Sequence, residues 1–114
     1  MASRQIVIDT NVFISALRSQ FGASYKLIMM LESGRFESNL SVSLAMEYED
    51  VSKRILNETQ LTTEDVEVIL NYVFAAANRR KVYYLWRPFL RDPKDDMVLE
   101  LAVAASCDII VTYN

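Results

Sequence analysis

A chain of 114 residues with 52% hydrophobic content and a formal charge of −3 is sized for one compact domain with one core, and it lacks the basicity of a general nucleic-acid coating protein. It contains no histidine, which excludes a Ser-His-Asp triad, a His acid–base pair and a His-ligated zinc. Two glycines, Gly22 and Gly34, leave no Gly-rich loop to cradle phosphates, and the single cysteine, Cys107, excludes an intrachain disulfide and reads as a small buried hydrophobe.

The first element is the β-branched run Ile6-Val7-Ile8, which predicts a strand buried on both faces, as in a parallel sheet. Asp9 then stands at its carboxyl end. Thr10 or Asn11 is expected to cap a helix carrying Val12, Phe13, Ala16 and Leu17. A carboxylate beside an amide and a hydroxyl suits a hard divalent cation, and ligands of open α/β sheets gather at that edge. Taken alone, Asp9 reads equally well as a helix N-cap.

A second helix is expected from Gly22 and Ser24 to about Glu32, with Gly34 as its stop. Phe36 to Leu40 is a strand candidate. Ser41 or Ser43 can cap a third helix reaching about Leu56, with Asp50 and Arg54 spaced as an i,i+4 pair. Asn57-Glu58-Thr59-Gln60 reads as a loop. A fourth helix starts near Thr63 with Glu64, Asp65 and Glu67 and ends at Arg79-Arg80-Lys81, a charge order that fits the helix dipole. Its apolar stripe is Val66, Ile69, Leu70, Val73, Phe74 and Ala77.

Val82 to Trp86 is a further strand, and Pro88 and Pro93 confine a loop. A fifth helix is expected from about Asp95 to Ser106, and Asp108 to Thr112 as another buried strand. Strands alternating with helices predict an α/β fold: a three-layer sandwich around a central, mainly parallel sheet.

What remains for chemistry is carboxylate, amide and hydroxyl, an inventory that suits Mg²⁺ or Mn²⁺ better than zinc or copper. Glu47 lies in the third helix among Leu44, Ala45, Met46 and Val51, so its face is not plainly solvent-directed, although a solvated helix charge is the simpler account of it alone. Asp95 and Asp96 open the fifth helix, where capping and dipole stabilisation need only one of them. Two adjacent carboxylates after Asp92 exceed that need. Packed together, they hold protons more tightly unless a cation is bound.

In combination these residues resemble the PIN-domain family, in the branch of toxin components of toxin–antitoxin pairs (VapC-like ribonucleases). Three blocks carry the resemblance: Val7 to Leu17, Ser41 through Glu47 to Val51, and Asp92-Pro93-Lys94-Asp95 through Leu99 and Ala102 to Thr112. The resemblance implies a PIN-like fold over residues 1–114. It implies that Asp9, Glu47 and Asp95 are the catalytic, metal-ligating acids, with Asp95 preferred over Asp96 because it lies seven residues before Ala102. Asp92 falls on a more variable acidic position. Asn11, Thr112, Asn114 and Asp96 would line the site. Relatives often carry a fourth acid just after the last strand's threonine, where this chain has Tyr113-Asn114. An end at Asn114 is therefore expected to leave one sheet edge incomplete and metal binding weaker.

The implied activity is Mg²⁺- or Mn²⁺-dependent hydrolysis of single-stranded RNA, for which no general-base histidine is needed. Arg87, Arg91 and Lys94 approach the acidic loop and are the candidate RNA contacts. The expected partners are an RNA substrate, a small antitoxin and a second copy of the chain. No apolar run approaches the ~18–20 residues of a membrane span and no signal pattern opens the chain, so a cytoplasmic protein is expected. Two alternatives remain: a non-catalytic PIN-like domain that binds RNA or protein, and a phosphotransfer or phosphatase domain using Asp9. The second is weakened because dehalogenase-type phosphatases want an acid where Asn11 stands.

Overall fold

The computed structural model describes residues 4–79 and 93–112, with backbone alone for 93–97 and 100. Among the described residues four strands and five helices follow in the order β1 (Arg4–Ile8), α1 (Thr10–Arg18), α2 (Ala23–Met29), β2 (Phe36–Leu40), α3 (Val42–Arg54), α4 (Thr63–Ala76), β3 (Asn78–Arg79), α5 (Pro93–Ala104) and β4 (Ile109–Val111). The sheet order is β3-β2-β1-β4, and every pairing is parallel. The α/β architecture expected from the sequence is the one observed.

Local chemistry explains most boundaries. Asp9 itself caps α1, its Oδ1 accepting the Thr10 N–H at 2.7 Å, so neither Thr10 nor Asn11 is the cap. Ser41 caps α3 by accepting the Leu44 N–H at 3.1 Å. Thr62 and Asp65 form a reciprocal capping box at the start of α4. Asp50 and Arg54 pair at 2.6 Å, and Glu49 and Lys53 at 2.8 Å, one helical turn apart on α3.

Ile6, Val7 and Ile8 are 4%, 0% and 3% exposed, and burial of three successive residues requires cover on both faces of β1. α1 adds Val12, Phe13, Ile14, Ala16 and Leu17 to this core, α3 adds Leu44 and Tyr48, α4 adds Val66, Leu70 and Val73, and α5 adds Val98, Leu101 and Ala102.

The structure corrects several expectations. α2 stops at Met29, with Met30 as its C-cap, and Gly34 lies further on at φ 82°. The segment read as a loop contains a 3₁₀ turn at Leu56–Glu58. α4 ends at Ala76, and Asn78 and Arg79 leave it to pair with Asn39 and Leu40 of β2, so Arg79 is a strand residue. α5 begins at Pro93, whose missing N–H suits a first helical turn. β4 is not a buried strand: Ile109 and Ile110 are 43% and 37% exposed, because β4 pairs only with β1 among the described residues. Cys107 is half-buried. Val82 to Trp86 lies outside the described residues.

Candidate acidic site at the sheet switch point

From β1 the chain adds β2 and then β3 on one side of the sheet, whereas β4 pairs on the other side of β1. The carboxyl ends of β1 and β4 therefore flank the topological switch point, where open α/β sheets hold their ligands. Asp9 follows β1 there and Thr112 follows β4, brought together by the Ile8↔Val111 register. The Asp9 N–H donates to the Val111 carbonyl at 2.8 Å. Its carboxylate is gripped from two directions: Oδ1 accepts the Thr10 N–H at 2.7 Å, and Oδ2 accepts the Thr112 hydroxyl at 2.7 Å. Asn11 Nδ2 donates to the same Thr112 oxygen at 3.4 Å. Three of the residues expected around the site, Asp9, Asn11 and Thr112, thus form one hydrogen-bonded group.

Glu47 comes from α3, which packs against α1. It is half-buried, as Asp9 is. The two carboxylates share a neighbour in Tyr48, whose ionisation is pushed far above the ordinary phenol range, first by burial and then by the negative charges of Asp9 and Glu47. Asp95, Asp96 and Lys94 occupy the first turn of α5. Because α5 leads through Ala105–Asp108 into the amino end of β4, its own N-terminus lies at the opposite, carboxyl edge of the sheet, the edge of Asp9. Arg87, Arg91, Asp92 and Asn114 lie outside the described residues.

The donors fit a hard divalent cation. Asp9 spends one lone pair of each oxygen on its hydrogen bonds and keeps others for a ligand. The Thr10 hydroxyl beside it is buried and makes no hydrogen bond among the described residues. Among the described residues, whose side chains do not include that of Asp95, no group of three acids is assembled.

Tyr48 is the site neighbour that the sequence reading passed over. An aromatic residue on the inner face of an amphipathic helix looks like any core residue, and only its place directly after Glu47 marked it out.

Fold and site together define a parallel α/β protein with an acidic edge built around Asp9. A family model described as the PIN domain matches residues 5–114, and the chain belongs to the PIN-domain family. Members of this family are generally nucleases that use divalent metal ions. Membership separates the chain from the phosphotransfer class. No curated protein matches the chain. No solved structure matches it either.

Proposed function

We propose that this protein is an Mg²⁺- or Mn²⁺-dependent endoribonuclease of single-stranded RNA and the toxin of a toxin–antitoxin pair. The observation that carries the reading is the Asp9 carboxylate at the switch point, oriented by the Thr10 N–H and the Thr112 hydroxyl. Asp9, Glu47 and Asp95 are the residues that would hold the cation, and an all-oxygen donor set of this kind suits Mg²⁺ or Mn²⁺. Such an ion supplies an activated water nucleophile at neutral pH and offsets charge on the scissile phosphate. Asn11 and Thr112 keep Asp9 aimed, and in this reading Asp96 and Asn114 would complete the polar lining.

The substrate edge has further support. Arg79 is exposed at the carboxyl end of β3, beside a groove of about 290 Å³ lined by Leu40, Val42, Met46 and Phe74 and by Glu49, whose charge is offset by Lys53 at 2.8 Å. A cation next to an apolar groove suits a phosphate and its base. Arg87, Arg91 and Lys94 are the further RNA contacts in this reading, which also includes a homodimer and a location in the cytoplasm. Among the described residues no helix is long and apolar enough to cross a membrane.

The test is cleavage of a labelled single-stranded RNA by the purified full chain with Mg²⁺ or Mn²⁺, and its loss with chelator. Asp95→Asn should abolish cleavage, whereas Asp96→Asn and Asp92→Asn should have smaller effects. Equal losses for Asp95 and Asp96 would refute the assignment of Asp95. A parent chain that binds RNA or a protein partner without cleaving RNA would favour a non-catalytic PIN-like domain.

A further inference from the structure

Tyr48 is 2% exposed and sits where α3 meets the end of β1. Its hydroxyl donates to the carbonyl of Ile8, the last residue of β1, beyond the final β1–β2 register pair Ile6↔Ser38. Its ring stacks on Phe13 of α1, with centroids 4.6 Å apart and planes 14° from parallel. The Phe13 N–H in turn donates to the Asp9 carbonyl at 3.3 Å. One side chain from α3 thus holds the chain both before and after Asp9, and its sequence neighbour is Glu47.

Core packing alone does not require this hydroxyl, since phenylalanine would fill the same space and keep the stack. The bond to the Ile8 carbonyl offsets the cost of burying the hydroxyl and adds a tie that the ring alone does not make.

We propose that the Tyr48 hydroxyl is a positioning group for the acidic edge: by holding the Ile8 carbonyl it fixes the Asp9 peptide relative to Glu47 on α3, and so sets the spacing of the two carboxylates for a divalent cation. This rests on the metal-dependent reading of the site and deepens it, naming a residue that acts through Asp9. A carbonyl oxygen only accepts, so the Tyr48 hydroxyl is the donor in this tie.

The experiment compares the full chain with Tyr48→Phe by three readouts. Without metal, the Asp9 amide of the variant should exchange its hydrogen about tenfold faster, as expected when a buried carbonyl nearby loses its donor, while α4 amides keep parental protection. The Kd for Mn²⁺, measured by calorimetry, should rise about tenfold, the lower end for loss of an outer-shell partner. RNA cleavage should lose kcat at an unchanged KM.

Parental exchange at Asp9 together with parental Mn²⁺ affinity would overturn the positioning role. Loss of protection throughout the chain would overturn it too, because the hydroxyl would then serve folding at large. If the parent takes up no Mn²⁺ while Tyr48→Phe still loosens Asp9, the positioning role stands and the metal-dependent reading fails.

Discussion

Asp9 caps α1 and, in the proposed reading, also holds the cation, and two substitutions separate these roles. Asp9→Asn keeps an oxygen to accept the Thr10 N–H, and asparagine caps helices about as well as aspartate. What it loses in stability is the charge at the α1 N-terminus, about 0.3–1 kcal/mol. Asp9→Ala also loses the cap, a further cost of about 0.5–2 kcal/mol. The Thr112 hydroxyl is exposed and can donate to water in place of Asp9, adding little. Urea unfolding should therefore rank the parent, then Asp9→Asn, then Asp9→Ala.

Function should rank differently, because both variants remove the carboxylate. Each should lose more cleavage than the ~10–100-fold typical of an outer-shell change. Metal linkage supplies a second reading: Mn²⁺ at about 100 times its Kd should stabilise the parent by about 2.7 kcal/mol and leave both variants almost unmoved. Equal Mn²⁺ stabilisation of parent and Asp9→Asn, or parental cleavage by Asp9→Asn, would refute the assignment of Asp9. A loss of more than about 2 kcal/mol in Asp9→Asn would refute the cap argument.

Other expectations follow from buried groups and surfaces. Leu101 on α5 is 0% exposed, so Leu101→Ala should cost about 2–5 kcal/mol in urea unfolding. Thr62→Ala, which breaks the α4 capping box, should cost about 0.5–2 kcal/mol without altering RNA cleavage. Above about pH 10 an unfolded chain releases the Tyr48 proton that the folded chain keeps, so stability should fall as pH rises, by up to about 1.4 kcal/mol per pH unit. Tyr48→Phe should remove that slope in alkaline denaturation. Sedimentation at micromolar concentration should show self-association, and only a 13.1 kDa species would count against the proposed homodimer.

The sequence made legible what is written in local chemistry. Ile6-Val7-Ile8 marked a strand with cover on both faces, Asp9 marked its carboxyl end, and Ser41 or Ser43 marked the start of α3, which Ser41 caps. What depended on distant partners stayed hidden. Ala75 to Ala77 continues a helical pattern, yet the chain leaves α4 because Asn78 and Arg79 find a parallel partner in β2. Ile109-Ile110-Val111 has the composition of a buried strand, and its place beside β1 alone among the described residues leaves the two isoleucines partly in water. At the site, it was the resemblance to the PIN-domain family that grouped Asn11 and Thr112 with Asp9, and the converging ends of β1 and β4 bring the three into hydrogen-bonding reach. The tie from Tyr48 to Ile8 was not legible, since a hydroxyl's target cannot be deduced from helical periodicity.

The hydrogen bond between Asp9 and Thr112 joins residues 103 positions apart. A chain grows from its N-terminus during synthesis, so Asp9 is made long before its partner. Closing so long a loop is entropically expensive before the contacts it brings are made, which places the β1–β4 pairing late in folding. A chain stopped short of β4 can carry Asp9 and Glu47 and still lack the strand that aims Asp9. Assembly of the Asp9 cluster thereby waits on the synthesis of β4.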